Sequence, residues 1–360
     1  MSSQVSCGIV GLPNVGKSTL FNAVTNSNIL AANYPFATIE PNTGIAIVPD
    51  KRLSKLAELY KTDNIVPATV KFVDIAGLVS GASKGEGLGN QFLSHIRSVN
   101  AIIEVVRAFS DPNVTHVDKI ADPKKDIDVV NTELVLADLQ TINNRLPKLQ
   151  KEAKSDAKLK PLVSVYEQAY SLLDQGEPLW NHPDIDRVVI NELQLLTSKP
   201  VMYVFNVDED DLANVNKRQD LMELVKPSPA LFICAKLENE LKDLDISDAT
   251  ELLNSYGQKE PGLWQLIHTA YNLLGLQSFL TAGEKEVRAW TVKKGSTARA
   301  AAGTIHKDFE RGFIAAEILE YHELINSGSF SAAKAAGKVR TEGKEYIMQP
   351  DDIALFRFNV

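Results

Sequence analysis

Residues 11–18 read Gly11-Leu12-Pro13-Asn14-Val15-Gly16-Lys17-Ser18, that is G-x-x-x-x-G-K-S. A short apolar run at 6–10 precedes them, and residues 18–25 follow with Leu20, Phe21 and Val24 at helical spacing. Strand, glycine-bearing turn and helix, in that order, are the setting in which this pattern forms a phosphate-binding loop. The glycines let backbone N–H groups turn inward around a β-phosphate, and the helix N-terminus adds partial positive charge. Lys17 then reaches the β- and γ-phosphates, and the Ser18 hydroxyl is a magnesium ligand. Asn14, Val15, Gly16, Lys17, Ser18 and Thr19 are therefore the expected phosphate contacts.

Working outward, further buried-strand candidates lie at 45–48, 70–73, 101–106, 201–205 and 231–234. Short, mostly β-branched strands separated by helical segments predict an α/β fold, a mostly parallel sheet with helices on both faces. From 106 to 201 no strand is evident. Residues 126–150 and 162–173 instead carry apolar side chains at helical spacing. They predict an inserted helical hairpin over about 125–198, a short antiparallel coiled coil with 151–158 as its exposed tip. A second break is placed near 275–281, beyond which 287–291 and 352–358 alternate as half-buried strands and 296–308 reads as a helix. The expected domains are 1–278, interrupted by the hairpin, and a compact α+β unit over 279–360.

The 360-residue length agrees with two or three domains. A composition 44% hydrophobic and 23% charged excludes wholesale disorder. No apolar run approaches 20 residues, and the first residues lack the basic stretch of a signal peptide, so no membrane partner is expected. Cys7 and Cys234 are too few for a zinc site, and a reduced cytoplasmic chain is the expectation. A net charge of −8 argues against bulk attraction to DNA.

Asp74-Ile75-Ala76-Gly77 follows the 70–73 strand. An acid at a strand's carboxyl end beside the phosphate loop is the outer-shell magnesium acid, and Gly77 offers an unhindered N–H to a γ-phosphate. In the intervening stretch 34–42, Thr38 is placed to close over magnesium, and the glycine-rich run 77–89 reads as a second switch. Leu78 stands where many GTPases have the glutamine that orients water. His95 and His116 are the candidates to replace it.

After the 201–205 strand comes Asn206-Val207-Asp208-Glu209, N-x-x-E in place of the guanine-reading N-K-x-D. Val207 replaces the lysine, and Glu209 is one methylene too long for the bidentate contact with guanine. This predicts ATP over GTP, with Asp208 keeping GTP open through a register slip. Cys234-Ala235-Lys236 follows as a base-packing loop.

These segments, with 34–44, 72–93 and the C-terminal stretches 285–292, 306–317 and 356–360, resemble the YchF subfamily of the Obg-type (TRAFAC) P-loop G proteins along essentially the full length. The resemblance implies a G domain with a helical insertion and a C-terminal ubiquitin-like TGS domain. It implies an ATPase switch that associates with the ribosome, its subunits or ribosomal RNA. It also implies a hydrolytic role for His116, beside Lys17 and Gly77, although Asp118-Lys119-Ile120 departs from the family's loop. Asn14 and the missing glutamine are shared with G proteins that use potassium, which makes K+ a second candidate cofactor after Mg2+. An Obg-like GTPase and a nucleotide-sensing adaptor are the alternative functions. Arg288, Lys293, Lys294 and Arg299 are candidate RNA contacts, weighed against a solvated mixed-charge surface.

Overall fold

The computed structural model describes residues 5–26, 42–76, 87–110, 122–241 and 244–359. Strand β1 (Ser6–Val10) is buried along its length and leads through the 11–16 loop into helix α1 (Lys17–Asn26). The chain continues through β2 (Thr43–Ile47), α2 (Lys51–Tyr60), β3 (Ile65–Val66), β4 (Thr69–Asp74), α3 (Gly87–Ser98), β5 (Ala101–Ala108), α4 (Pro123–Ser155) and α5 (Lys160–Asp174). Next come α6 (Arg187–Ile190), β6 (Val201–Val207), α7 (Val215–Glu223), β7 (Ala230–Ile233), α8 (Ala235–Glu240), α9 (Ile246–Ser255) and α10 (Gly262–Leu273). The last stretch holds β8 (Leu276–Ala282), β9 (Val287–Lys293), α11 (Ala298–Ile305), α12 (Lys307–Arg311) and β10 (Phe313–Glu320). It finishes with α13 (Tyr321–Ser327), α14 (Phe330–Ala335), β11 (Arg340–Glu342) and β12 (Asp352–Phe358).

Contacts divide the chain into two units, Met1–Ala46 with Lys71–Leu266, and Ile47–Val70 with Ile267–Val360. The first is built on a sheet of order β2-β4-β1-β5-β6-β7 in which β4, β1, β5, β6 and β7 run parallel. Every residue of β5 and β6 is buried, as strands covered on both faces must be. Central β1 carries the 11–18 loop from its carboxyl end, where ligands of open α/β sheets bind.

The expected hairpin is present and longer than its apolar periodicity. Asp122 starts α4 by accepting from the Lys125 N–H (3.2 Å), and Pro123 fits the first turn. The helix runs 33 residues, about 50 Å. Asp156 ends it and caps the following turn by accepting from the Lys158 N–H (3.0 Å), so the reversal takes only 156–159, later and shorter than the expected tip at 151–158. The hairpin has its own core, in which Ile142 and Leu149 of α4 meet Tyr166, Ala169 and Leu173 of α5.

Asp138 anchors the hairpin to the segment entering β6. It is 1% exposed and accepts from the Leu196 N–H (2.8 Å), the Thr197 N–H (2.8 Å) and the Thr197 hydroxyl (2.7 Å). Desolvation outweighs these donors and raises its carboxyl from 3.8 to about 6. An acid whose folded pKa exceeds its unfolded pKa favours the fold when protonated. That stabilisation is full below pH 3.8 and is lost as pH rises through about 6. The stability of the wild type relative to Asp138→Asn should therefore fall by about 2–3 kcal/mol across that window and stay level above pH 7. Denaturation midpoints of the two chains across pH check it.

The second unit has a mixed sheet of order β11-β10-β12-β8-β9-β3. β8 pairs antiparallel with β9 and parallel with β12, while β12 pairs antiparallel with β10. Ala298, Ala301 and Ala302 of α11 lie against Phe279, Ile318 and Phe356, the small side chains letting the helix approach the sheet closely. Three features depart from the sequence reading. The stretch 276–282 is strand β8 within the sheet rather than a break, and an expected boundary at 278/279 falls inside it. The helix expected over 296–308 ends at Ile305, because His306 is extended (φ −158°, ψ 146°) and starts α12 instead. Residues 47–70, expected within the first domain, belong to the second unit. There α2 buries Leu53, Leu56 and Ala57, Arg52 bonds Asp351 (2.7 Å), and β3 extends the sheet beside β9.

Candidate functional site

Lys17, Ser18 and Thr19 open α1 and line, with Leu12, Pro13, Asn14 and Gly16, a cavity of about 380 Å³ over the loop. Gly16 has φ +93°, and a Cβ there would stand 2.3 Å from the Asn206 amide nitrogen, so only glycine fits. Asn14 takes the left-handed conformation (φ 62°) that asparagine tolerates. The β1–β4 register places Ile9 opposite Asp74, and this brings Asp74 to the loop. Its carboxylate forms an ion pair with the Lys17 ammonium. Ser18 and Asp74 are hard oxygen donors, the set that suits a magnesium ion taking its remaining ligands from water and phosphate oxygens.

A second cavity of about 930 Å³ shares Asn14, Gly16 and Thr19 with the first and extends to Asn206, Val207, Glu209, Cys234, Ala235 and Lys236. Thus every described residue expected at the phosphates or the base, apart from half-buried Asp74 and buried Val15, lines one of these two spaces. Asn206 acts as a tie between them. Its amide nitrogen donates to the Val15 carbonyl (3.1 Å), and its amide oxygen accepts from the Ala235 N–H (3.2 Å). Parallel pairing of β6 with β7, Asn206 opposite Ile233, holds the two loops in reach.

Glu209 is not a free carboxylate. Lys236 meets one oxygen at 2.9 Å and the Tyr256 hydroxyl donates to the other at 3.2 Å. The Lys236 ammonium beside it holds its carboxyl below the usual range. Asp208, the register-slip alternative, accepts from the Ser110 N–H (3.0 Å) and so fastens the loop after β5. Cys234 is buried, which pushes its thiol up, and burial raises that of Cys7 to about 12, so neither is poised as a thiolate.

Sequence reasoning missed Phe109, Ser110, Asp210, Asn239 and Glu240 in the lining, and Tyr256 as the partner of Glu209. The position of Phe109 just past β5 was a usable signal, whereas nothing local marks Tyr256, 47 residues from Glu209. His95 is exposed on α3. Thr38, Gly77, Leu78 and His116 lie outside the described residues.

The phosphate loop between a buried parallel strand and a helix, with Asp74 beside it, defines a P-loop protein of the G-domain class. The family model described as "50S ribosome-binding GTPase" matches residues 6–143, and that of the YchF GTPase C-terminal region, described as "Protein of unknown function (DUF933)", matches 276–359. The chain is 49% identical to the "Ribosome-binding ATPase YchF" of Bacillus subtilis, covering 99% of this chain and 100% of that one. It is 48% identical to the protein of the same name from Escherichia coli O157:H7, covering 98% and 99%. The solved Schizosaccharomyces pombe YchF GTPase superposes with a TM-score of 0.86 at 38% identity, over 99% of this chain and 98% of that one. The chain belongs to the YchF family.

Proposed function

We propose that this chain is a P-loop ATPase that hydrolyses ATP to ADP and phosphate and acts as a nucleotide-dependent switch on the ribosome, in the cytoplasm. The observation that carries the choice of base is the Lys236–Glu209–Tyr256 arrangement. Guanine needs a carboxylate free to accept from its N1–H and 2-amino group. Here the carboxylate is covered by a cation and a phenol, and adenine asks nothing of it. The relatives' names, which include ribosome binding and ATPase, agree with this reading.

In the mechanism proposed, Lys17 leaves Asp74 for the β- and γ-phosphate oxygens, and the backbone N–H groups of 14–19 cradle the β-phosphate. Ser18 and Thr38 would hold Mg2+, with Asp74 behind them through water, and the ion would neutralise charge on the phosphates. Potassium near Asn14 is the second candidate. Gly77 is assigned the N–H that senses the γ-phosphate, and His116 the orientation of water. Ordering of Thr38 and Gly77 on ATP, relayed to the hairpin and to a TGS domain over 279–360, would set ribosome affinity. Ribosomal subunits or ribosomal RNA are the partners proposed, with neither DNA nor membrane.

Phosphate release and ribosome co-sedimentation test this together. Ribosomes should accelerate ATP turnover at least about threefold, and a non-hydrolysable ATP analogue should enrich the protein in the pellet over ADP. Faster GTP than ATP turnover would establish the GTPase alternative. Nucleotide-dependent pelleting with unchanged turnover would establish the adaptor.

A further inference from the structure

We propose that Tyr256 is a positioning residue that sets base specificity: acting through Glu209, and from outside the cavity lining, its hydroxyl keeps one carboxylate oxygen from a guanine base. The proposal rests on the reading that Glu209 decides the choice of base, and it assigns that decision to a residue of another segment.

The two partners of Glu209 are not equivalent. Lys236 is 74% exposed and meets Oε1 at 2.9 Å. An exposed pair on a long flexible stem is screened and weak, and the ammonium is free to swing into water. Tyr256 donates to Oε2 at 3.2 Å, and a tyrosine has fewer torsions to order than a lysine. The negative charge of Glu209 raises the phenol, so the hydroxyl keeps its proton and remains the donor.

The backbone fixes where the ring begins. Tyr256 closes α9, its N–H bonding the Leu253 carbonyl (3.1 Å), and Gly257 turns the chain at φ +69°. The Gln258 N–H returns to the same carbonyl (2.9 Å), and its side-chain amide donates to the Leu212 carbonyl (3.3 Å). Leu212 ends the short turn that Glu209 begins. Further along, the Gly262 N–H donates to Glu238 Oε1 (2.6 Å). Glu238 is buried on α8, the helix that opens at the base-packing loop. A Cβ at Gly262 would stand 2.8 Å from that oxygen, so the close approach needs glycine. Residues 256–262 are thus fastened at one end to the turn bearing Glu209 and at the other to the helix after Cys234. This makes Tyr256 a fixed arm of the base site, although it lies 47 residues from Glu209 in the chain.

Guanine brings two donors, N1–H and the 2-amino group, and needs both carboxylate oxygens as acceptors. The Tyr256 hydroxyl already occupies Oε2, so donor would face donor, and an unpaired polar group in a closed site is costly. Removing the hydroxyl leaves one oxygen able to accept from guanine and changes nothing that adenine uses.

The test uses the full chain, with ATP and GTP competing against one fluorescent nucleotide. The wild type should prefer ATP. Tyr256→Phe should move the GTP-to-ATP affinity ratio about five- to tenfold towards GTP while ATP affinity stays within about twofold. Tyr256→Leu should act in the same way, since the hydroxyl and not the ring does the work. In a Glu209→Gln background Tyr256→Phe should move the ratio less than about twofold, because no carboxylate remains to be released. A shift of equal size in the two backgrounds overturns the proposal. So does a parallel loss of ATP and GTP affinity in Tyr256→Phe, which would make the tyrosine a merely structural residue. A wild type that binds GTP as tightly as ATP refutes the base reading itself. A wild type that prefers ATP, with a ratio unmoved by both Tyr256 variants, refutes this proposal and leaves that reading standing.

Discussion

Replacing Lys17 with alanine is expected to weaken ATP binding at least 100-fold, about 3 kcal/mol, and to abolish turnover. The ammonium pairs with Asp74 when it faces no phosphate, so it is already held at the loop and needs little ordering to meet a ligand. Each charge-assisted contact to a phosphate oxygen is worth about 1.5–3 kcal/mol, and two are lost together. The variant also leaves Asp74 without its cation, facing the incoming phosphates. Alanine is the strongest helix former, so α1 keeps its first turn and the loss reads on binding rather than folding. Calorimetric titration with ATP decides the matter. An affinity within threefold of the wild type would remove the phosphate-site assignment.

The second large effect concerns the base. Val207→Lys with Glu209→Asp restores N-K-x-D and should move the GTP-to-ATP affinity ratio about 100-fold towards GTP, a shift of the size produced by pairing or orphaning buried polar groups. Aspartate is one methylene shorter, so its carboxylate withdraws from Lys236 and Tyr256, which now occupy both oxygens of Glu209. Glu209→Asp alone should take part of the step and guards against misfolding at buried Val207. Competition of ATP and GTP against one fluorescent nucleotide measures the ratio. A ratio unmoved by both variants would refute the assignment of base choice to Glu209.

The two ends of the site were legible to different degrees. The phosphate end is local chemistry. Eight consecutive residues carry the loop, and Asp74 lies at the end of the strand beside it. The base end is assembled from separate strands. Its sequence signals, N-x-x-E and Cys-Ala-Lys, named residues that do line the cavity, yet not what they do there. Asn206, read as a base contact, ties the loop after β1 to the loop after β7. Asp208, read as a substitute base reader, holds Ser110. The register of neighbouring strands sets those roles, and single-strand periodicity carries no register across a hundred residues.

Local pattern by itself determined the parallel sheet, the phosphate loop and the inserted hairpin, because each follows from contiguous spacing that backbone geometry converts directly into structure. Tertiary structure alone decided three things. The 276–282 stretch became a strand once β9 and β12 offered hydrogen-bonding partners on its two sides. Residues 47–70 joined the second unit because the buried face of α2 and the edge strand β3 find their partners there. Glu209 ceased to be a free carboxylate because folding brings up Lys236 and Tyr256, 27 and 47 residues further along the chain. In each case the deciding contact joins segments distant in the chain, and the energy that selects it exists only after they meet.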